Sequence, residues 1–132
     1  MKLKSILFLL LTAVAFSSCD ISGSNSSTCS QIIGIGTTAV TGPTVAAVNE
    51  TIVLNVSYIR SSCATFSNFY EVNDVDGKLI TVNVQVDPCA CTSEETITES
   101  KNYNFKRTTA GTYVLKFKVT NTTFVTHTIV VS

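Results

Sequence analysis

Thr109-Ala110-Gly111-Thr112-Tyr113-Val114-Leu115-Lys116-Phe117 is the stretch on which the fold turns. Ala110-Gly111 is a turn signal, and the residues after it alternate. Tyr113, Leu115, Phe117 and Val119 fall on one side, and Val114, Lys116 and Lys118 on the other. Side chains that change face at every residue belong to a strand, and one apolar face means that the strand is half buried. The same period recurs elsewhere in the chain. Residues 124–131 (FVTHTIVV) supply a final strand. Residues 79–86 (LITVNVQV) set Ile80, Val82, Val84 and Val86 against Thr81, Asn83 and Gln85. Residues 51–58 (TIVLNVSY) set Ile52, Leu54, Val56 and Tyr58 against Thr51, Asn55 and Ser57. Weaker strands are expected at 32–40, 66–72 and 102–107. Turns are expected at Thr41-Gly42-Pro43 and at Asp74-Val75-Asp76-Gly77, where the Asp-Gly pair tolerates positive φ. No window sustains a helical period. About seven short strands separated by frequent turns predict an all-β fold, either a sandwich or a small barrel.

The lead-in Ala110-Gly111-Thr112-Tyr113 resembles the start of the penultimate strand in immunoglobulin-like and fibronectin-like domains, where a Tyr anchors the corner between two sheets. The likeness covers about nine residues closely and 31–132 in strand rhythm. It implies an immunoglobulin-like antiparallel β-sandwich. The disulfide and Trp arrangement of antibody domains is absent from the sequence, so the likeness is one of architecture.

Composition agrees with a single domain of this class. The chain has 132 residues, no Trp, and only 14 % charged residues, below the usual quarter. Its formal net charge is zero. So even a balance gives no basic patch for nucleic acid.

The amino terminus has a different character. Met1-Lys2-Leu3-Lys4 is basic, Ile6 to Phe16 is an apolar run of 11 residues, and Ser17-Ser18 precede Cys19. This is the layout of a secretory signal peptide, too short to span a bilayer. Small residues directly before a Cys resemble the lipobox of bacterial lipoproteins, with Phe16 standing where that family usually has Leu. The general style is similar to lipoproteins of the Bacteroidota. The resemblance implies cleavage after residue 18, lipidation of Cys19, and a membrane partner reached through that lipid anchor. It places the protein in a bacterial cell envelope, at the outer membrane, periplasmic or surface-facing. Residues 1–18 are then the signal peptide, 19–30 the lipidated Cys and a flexible tether, and 31–132 the β domain. The segment Asp20 to Thr28 is Ser-, Gly- and Asn-rich and reaches roughly 15–18 Å as a coil.

Five cysteines are present: Cys19, Cys29, Cys63, Cys89 and Cys91. If Cys19 is acylated, the other four make two disulfides, as suits an oxidising compartment. Strand directions bring all four to one end of the domain. Cys89-Ala90-Cys91 is too tight to bridge itself easily, so each pairs outward, one with Cys63 and the other with Cys29. The sequence leaves open which takes which. A zinc site usually wants two CxxC knuckles, and there is one CxC with two singles.

Other chemistry finds little support. His127, the only histidine, lies in phase with Val125, Ile129 and Val131 and reads as a half-exposed strand residue. Asp74-Val75-Asp76-Gly77 lacks the downstream ligands of a calcium loop. Glu94, Glu95 and Glu99 read as an exposed acidic loop. Tyr58, Phe66, Phe69, Tyr70, Tyr103 and Phe105 are either core or a sugar-binding face. No catalytic, cofactor or metal residue is expected, and the chain reads as a non-enzyme. The functional expectation is a binding or structural module with its contacts on loops 60–65, 88–101 and 120–123. The alternatives are an inhibitor of a secreted enzyme or a carbohydrate-binding module.

Overall fold

The computed structural model describes residues 29–75 and 77–132, which form nine strands. These are β1 (Gln31–Ile35), β2 (Thr37–Thr41), β3 (Val45–Ala46), β4 (Thr51–Ser61), β5 (Ala64–Asp74), β6 (Gly77–Val86), β7 (Thr96–Lys106), β8 (Gly111–Lys118) and β9 (Phe124–Val131). They make two open sheets. The three-strand sheet runs β2-β4-β7. The six-strand sheet runs β1-β6-β8-β9-β3, with β5 along the other side of β6. The architecture is all-β and sandwich-like.

Alternation builds the core as the sequence predicts. Leu54, Val56 and Tyr58 from β4 meet Ile80, Val82 and Val84 from β6, with Leu115, Phe117 and Ile129 beside them, all buried to 1 % exposure or less. A chain of rings runs through the interior, from Tyr58 to Phe66, Phe69, Tyr103 and Phe117, with centroids 5.1–6.2 Å apart. Such edge-on and offset contacts suit the quadrupole of each ring.

Two departures have local causes. The expected strand 32–40 is divided: β1 pairs with β6 in one sheet and β2 with β4 in the other. The switch comes at Gly36, where a Cβ would sit 2.6 Å from the Val119 carbonyl oxygen. Only a residue without a side chain lets the backbone cross there. The expectation of a wholly antiparallel sandwich is also corrected, because β6 lies parallel to β8 and β3 parallel to β9. The chain leaves β6, descends through β7 in the opposite sheet, and returns as β8 beside β6. A strand that comes back after one pass through the other sheet must run parallel to the one it left. Gly77 permits the contact, since a Cβ there would lie 2.0 Å from the Val114 carbonyl oxygen.

The β5–β6 hairpin closes with Asp74 opposite Gly77, as the turn signal predicts. Its Asp76 lies outside the described residues, as do the expected signal peptide, Cys19 and the tether through Thr28.

Candidate functional site: the disulfide-pinned end

β4 and β6 both end at the same pole of the domain, and both hand the chain to the opposite sheet. Ser62-Cys63 carries it from β4 to β5, and residues 87–95 carry it from β6 to β7. The two crossovers run side by side. Ser62 N donates to the Glu95 carbonyl at 2.8 Å. Cys63 is bonded to Cys91, with Cα atoms 5.4 Å apart, so this disulfide staples one crossover to the other. Cys29 is bonded to Cys89 at a Cα separation of 5.7 Å, which fastens the start of β1 to the end of β6. The pairing left open by the sequence is therefore Cys29–Cys89 and Cys63–Cys91, at one end of the domain as expected.

Asp87 shapes the loop between β6 and β7. Its carbonyl accepts from Ala90 N at 3.2 Å and Cys91 N at 3.0 Å, and its side chain accepts from Cys89 N at 3.0 Å. An Asp that bonds the backbone two residues on fixes a turn locally. That turn aims two cysteines, two positions apart, at different partners.

Beneath the crossovers lies a group of charges that the sequence pattern did not reveal. The inward face of β4 continues past Tyr58 to Arg60, whose Nη1 donates to the carbonyls of Ser61 at 3.1 Å and Ala64 at 2.6 Å. Its Nε meets Glu99 at 2.5 Å, and Lys101 Nζ reaches the same carboxylate at 3.0 Å. Hydrogen bonds from Arg60 and then Lys101 hold the Glu99 carboxyl down to about 2. Tyr58 is fully buried, its Oη has no hydrogen-bond partner, and burial followed by the Glu99 charge pushes its pKa up to about 12. Further down the same side, Tyr103 Oη donates to Glu71 at 2.7 Å, and Lys78 pairs with that carboxylate too. Burial pushes the Glu71 carboxyl up, but these hydrogen bonds outweigh it and hold it below its ordinary value.

Glu99 is not part of an exposed loop: β7 begins at Thr96, so the segment 88–101 is loop only as far as Glu95. The 120–123 turn does not join the cysteine end. β8 leaves β6 near Ile80, and β1 occupies the level from Val82 to Val86, between that turn and the pole. His127 is half buried with Nε2 3.0 Å from the Pro43 carbonyl oxygen, the strand role expected of it. Of the six aromatic candidates, Tyr58, Tyr103 and Phe105 are buried and Phe66 and Phe69 pack on the core, while Tyr70 is exposed. The single grouping of metal-ligand residue types among the described residues is Cys29, Asp87 and Cys89. Its two sulfurs are bonded to each other and so offer no thiolate.

Among the described residues no helix is long and apolar enough to cross a membrane. No family model, curated protein or solved structure matches the chain.

Proposed function

We propose that this chain is an exported bacterial lipoprotein, of Bacteroidota style, held in the cell envelope by a lipid on Cys19. Its β domain is a non-enzymatic binding or structural module that makes its contacts at the disulfide-pinned end. One observation carries the reading. Four of the five cysteines pair among themselves, and the one left over is Cys19, directly behind a basic, apolar and small-residue leader. Two disulfides in so small a domain belong to an oxidising compartment, and an acylated Cys19 removes the odd thiol.

The finer architecture is immunoglobulin-like. Its support is Tyr113 at the start of β8, whose hydroxyl donates to the Thr109 carbonyl at 2.9 Å and lies 2.7 Å from the Thr109 hydroxyl. A tyrosine that bonds back a few residues at the corner between sheets is a mark of that class. The neighbouring of β6 and β8 departs from it, since there the penultimate strand lies next to the third.

A second reading has its own observation. Thr92 to Glu95 has no strand and is mostly exposed, yet it is braced at one side by Cys91 and at the other by the Ser62–Glu95 bond. A braced, exposed segment suits insertion into an enzyme cleft. Inhibition assays against secreted proteases and lysozyme separate the two readings.

The primary test is the intact mass of the membrane fraction after full-length expression in a Gram-negative host, with and without reduction. A triacylated species beginning at Cys19 that gains four hydrogens on reduction is the expected result. An unacylated soluble product rejects the anchor.

A further inference from the structure

β7 is the outer strand of the three-strand sheet. β4 pairs with it along all eleven residues without a register shift, and no strand lies on its other side among the described residues. The other long edge, β5, is broken by an irregularity between Phe66 and Asn68. β9 is partly covered by β3. A straight, uncovered edge presents unpaired backbone donors and acceptors, which soluble proteins commonly block with a charge aimed inward. β7 carries two such charges. Glu99 stands opposite Tyr58 and Lys101 opposite Val56, on the face that looks toward the second sheet. A lone inward charge rejects any incoming strand. Opposite charges two residues apart reject only strands that lack the complementary spacing, because like charges directly opposite destabilise and unlike charges stabilise.

Within the chain Glu99 already meets Arg60 and Lys101; between chains, the matching spacing is that of β7 itself. In an antiparallel pair, directly opposite residues share a face. A two-fold axis through Ser100 sets Glu99 against Lys101 of a second copy, and Lys101 against Glu99 of that copy. The same register aligns Ser100 with Ser100, Thr98 with Asn102 and Thr96 with Asn104 on the outer face, hydroxyls against hydroxyls or amides. An axis at Lys101 opposes two lysines, and one at Glu99 opposes two glutamates. An axis at Asn102 leaves Glu99 against Phe105 and Lys101 against Tyr103. We propose that the protein forms a two-fold dimer by antiparallel pairing of β7 with β7 of a second copy, centred on Ser100. The two three-strand sheets become one of six. The two domains then lie side by side, with their Cys29 ends pointing in opposite directions along the strands.

The test uses two differently tagged full-length copies expressed together, with co-purification as the readout. Wild-type copies co-purify. Glu99→Lys paired with itself, and Lys101→Glu paired with itself, lose about tenfold or more of the complex, because both cross-strand contacts become like-charged. Glu99→Lys with Lys101→Glu restores it, since one strand then carries two lysines and the other two glutamates. Should either charge variant fail to fold, Ser100→Cys decides. A short thiol cross-linker joins two copies through position 100, whereas Thr98→Cys gives no such product, its two thiols lying about 13 Å apart along the strands. Wild-type copies that do not co-purify, complexes indifferent to the charge pattern, or equal cross-linking at positions 98 and 100 would each overturn the proposal.

Discussion

Two tyrosine hydroxyls in this protein sit in opposite circumstances, and they should respond oppositely to removal. The Tyr113 hydroxyl is satisfied by Thr109 at the corner leading into β8, and Arg107 lies over its ring at 5.1 Å from the centroid. Tyr113→Phe forfeits that bond and should cost about 1 kcal/mol. The Tyr58 hydroxyl is buried with no partner, so its desolvation is already spent without return. Tyr58→Phe should therefore leave stability unchanged or raise it. Urea unfolding with an unchanged m-value checks both, and a Tyr58→Phe loss as large as that of Tyr113→Phe would mean that the neighbouring Glu99 carboxylate or a bound water serves Tyr58. Glu99 gives a pH prediction. Its folded carboxyl titrates at about 2, below its ordinary value of 4.5, so the stabilisation from Arg60 and Lys101 is present above about pH 4.5. It is lost as the pH falls toward 2. With the carboxylate 23 % exposed, solvent screening limits the contribution to about 1 kcal/mol. Glu99→Gln should be less stable than wild type at neutral pH by that amount, and the two unfolding midpoints should converge below pH 3. A constant gap across the whole range would assign the loss to packing instead.

Among the strands, the close approaches at Gly36 and Gly77 decide which neighbour each acquires. Gly77→Ala places a Cβ within 2.0 Å of the Val114 carbonyl oxygen, where backbone has to move. The expected loss is about 1–3 kcal/mol, as for an overpacked site, with faster amide exchange in residues 77–80 and 114–117 as its local signature. Normal protection of those amides would show that the hairpin shifts as a unit and keeps its pairing. β7 shows why a strand can hide from a period-two reading. Its last residues, Tyr103 and Phe105, carry the apolar signal, but the inward positions nearer the disulfides are Glu99 and Lys101. Their inward setting is tolerated because Arg60 meets the carboxylate and Lys101 lies over the Phe66 ring at 5.6 Å. The trace of this was Arg60, which continues the inward series Ile52, Leu54, Val56 and Tyr58 with a charge. An inward charge on one strand implies an inward countercharge on its neighbour.

At the scale of the molecule, the two disulfides divide their labour. Cys63–Cys91 closes 28 residues and ties both inter-sheet crossovers together. Replacing the pair by Ser should lower global stability by about 3–4 kcal/mol on the chain-entropy estimate. Cys29–Cys89 spans 60 residues but holds β1, whose residues are mostly exposed. Local opening of such a strand costs far less than global unfolding. Removing this pair should speed amide exchange over Gln31–Ile35, on top of the loss of about 4 kcal/mol that the same chain-entropy estimate gives for its longer loop. Protection of β1 equal to that of the core in the variant would contradict this division. The main strands, their apolar inward faces and the gathering of four cysteines at one pole were legible from residue order, but the division of 32–40, the start of β7 and the exposure of Val119 were not. Alternation is a local property of the backbone, and strand direction follows from counting turns. Residue order is therefore enough for an all-β chain, most of its core and its pinned end. Which sheet each strand joins, the parallel course of β6 and β8, and the pairing of Cys29 with Cys89 are settled in three dimensions. Those outcomes depend on contacts between residues distant in the chain, where a missing Cβ at Gly36 or Gly77 settles how closely two backbones can pass.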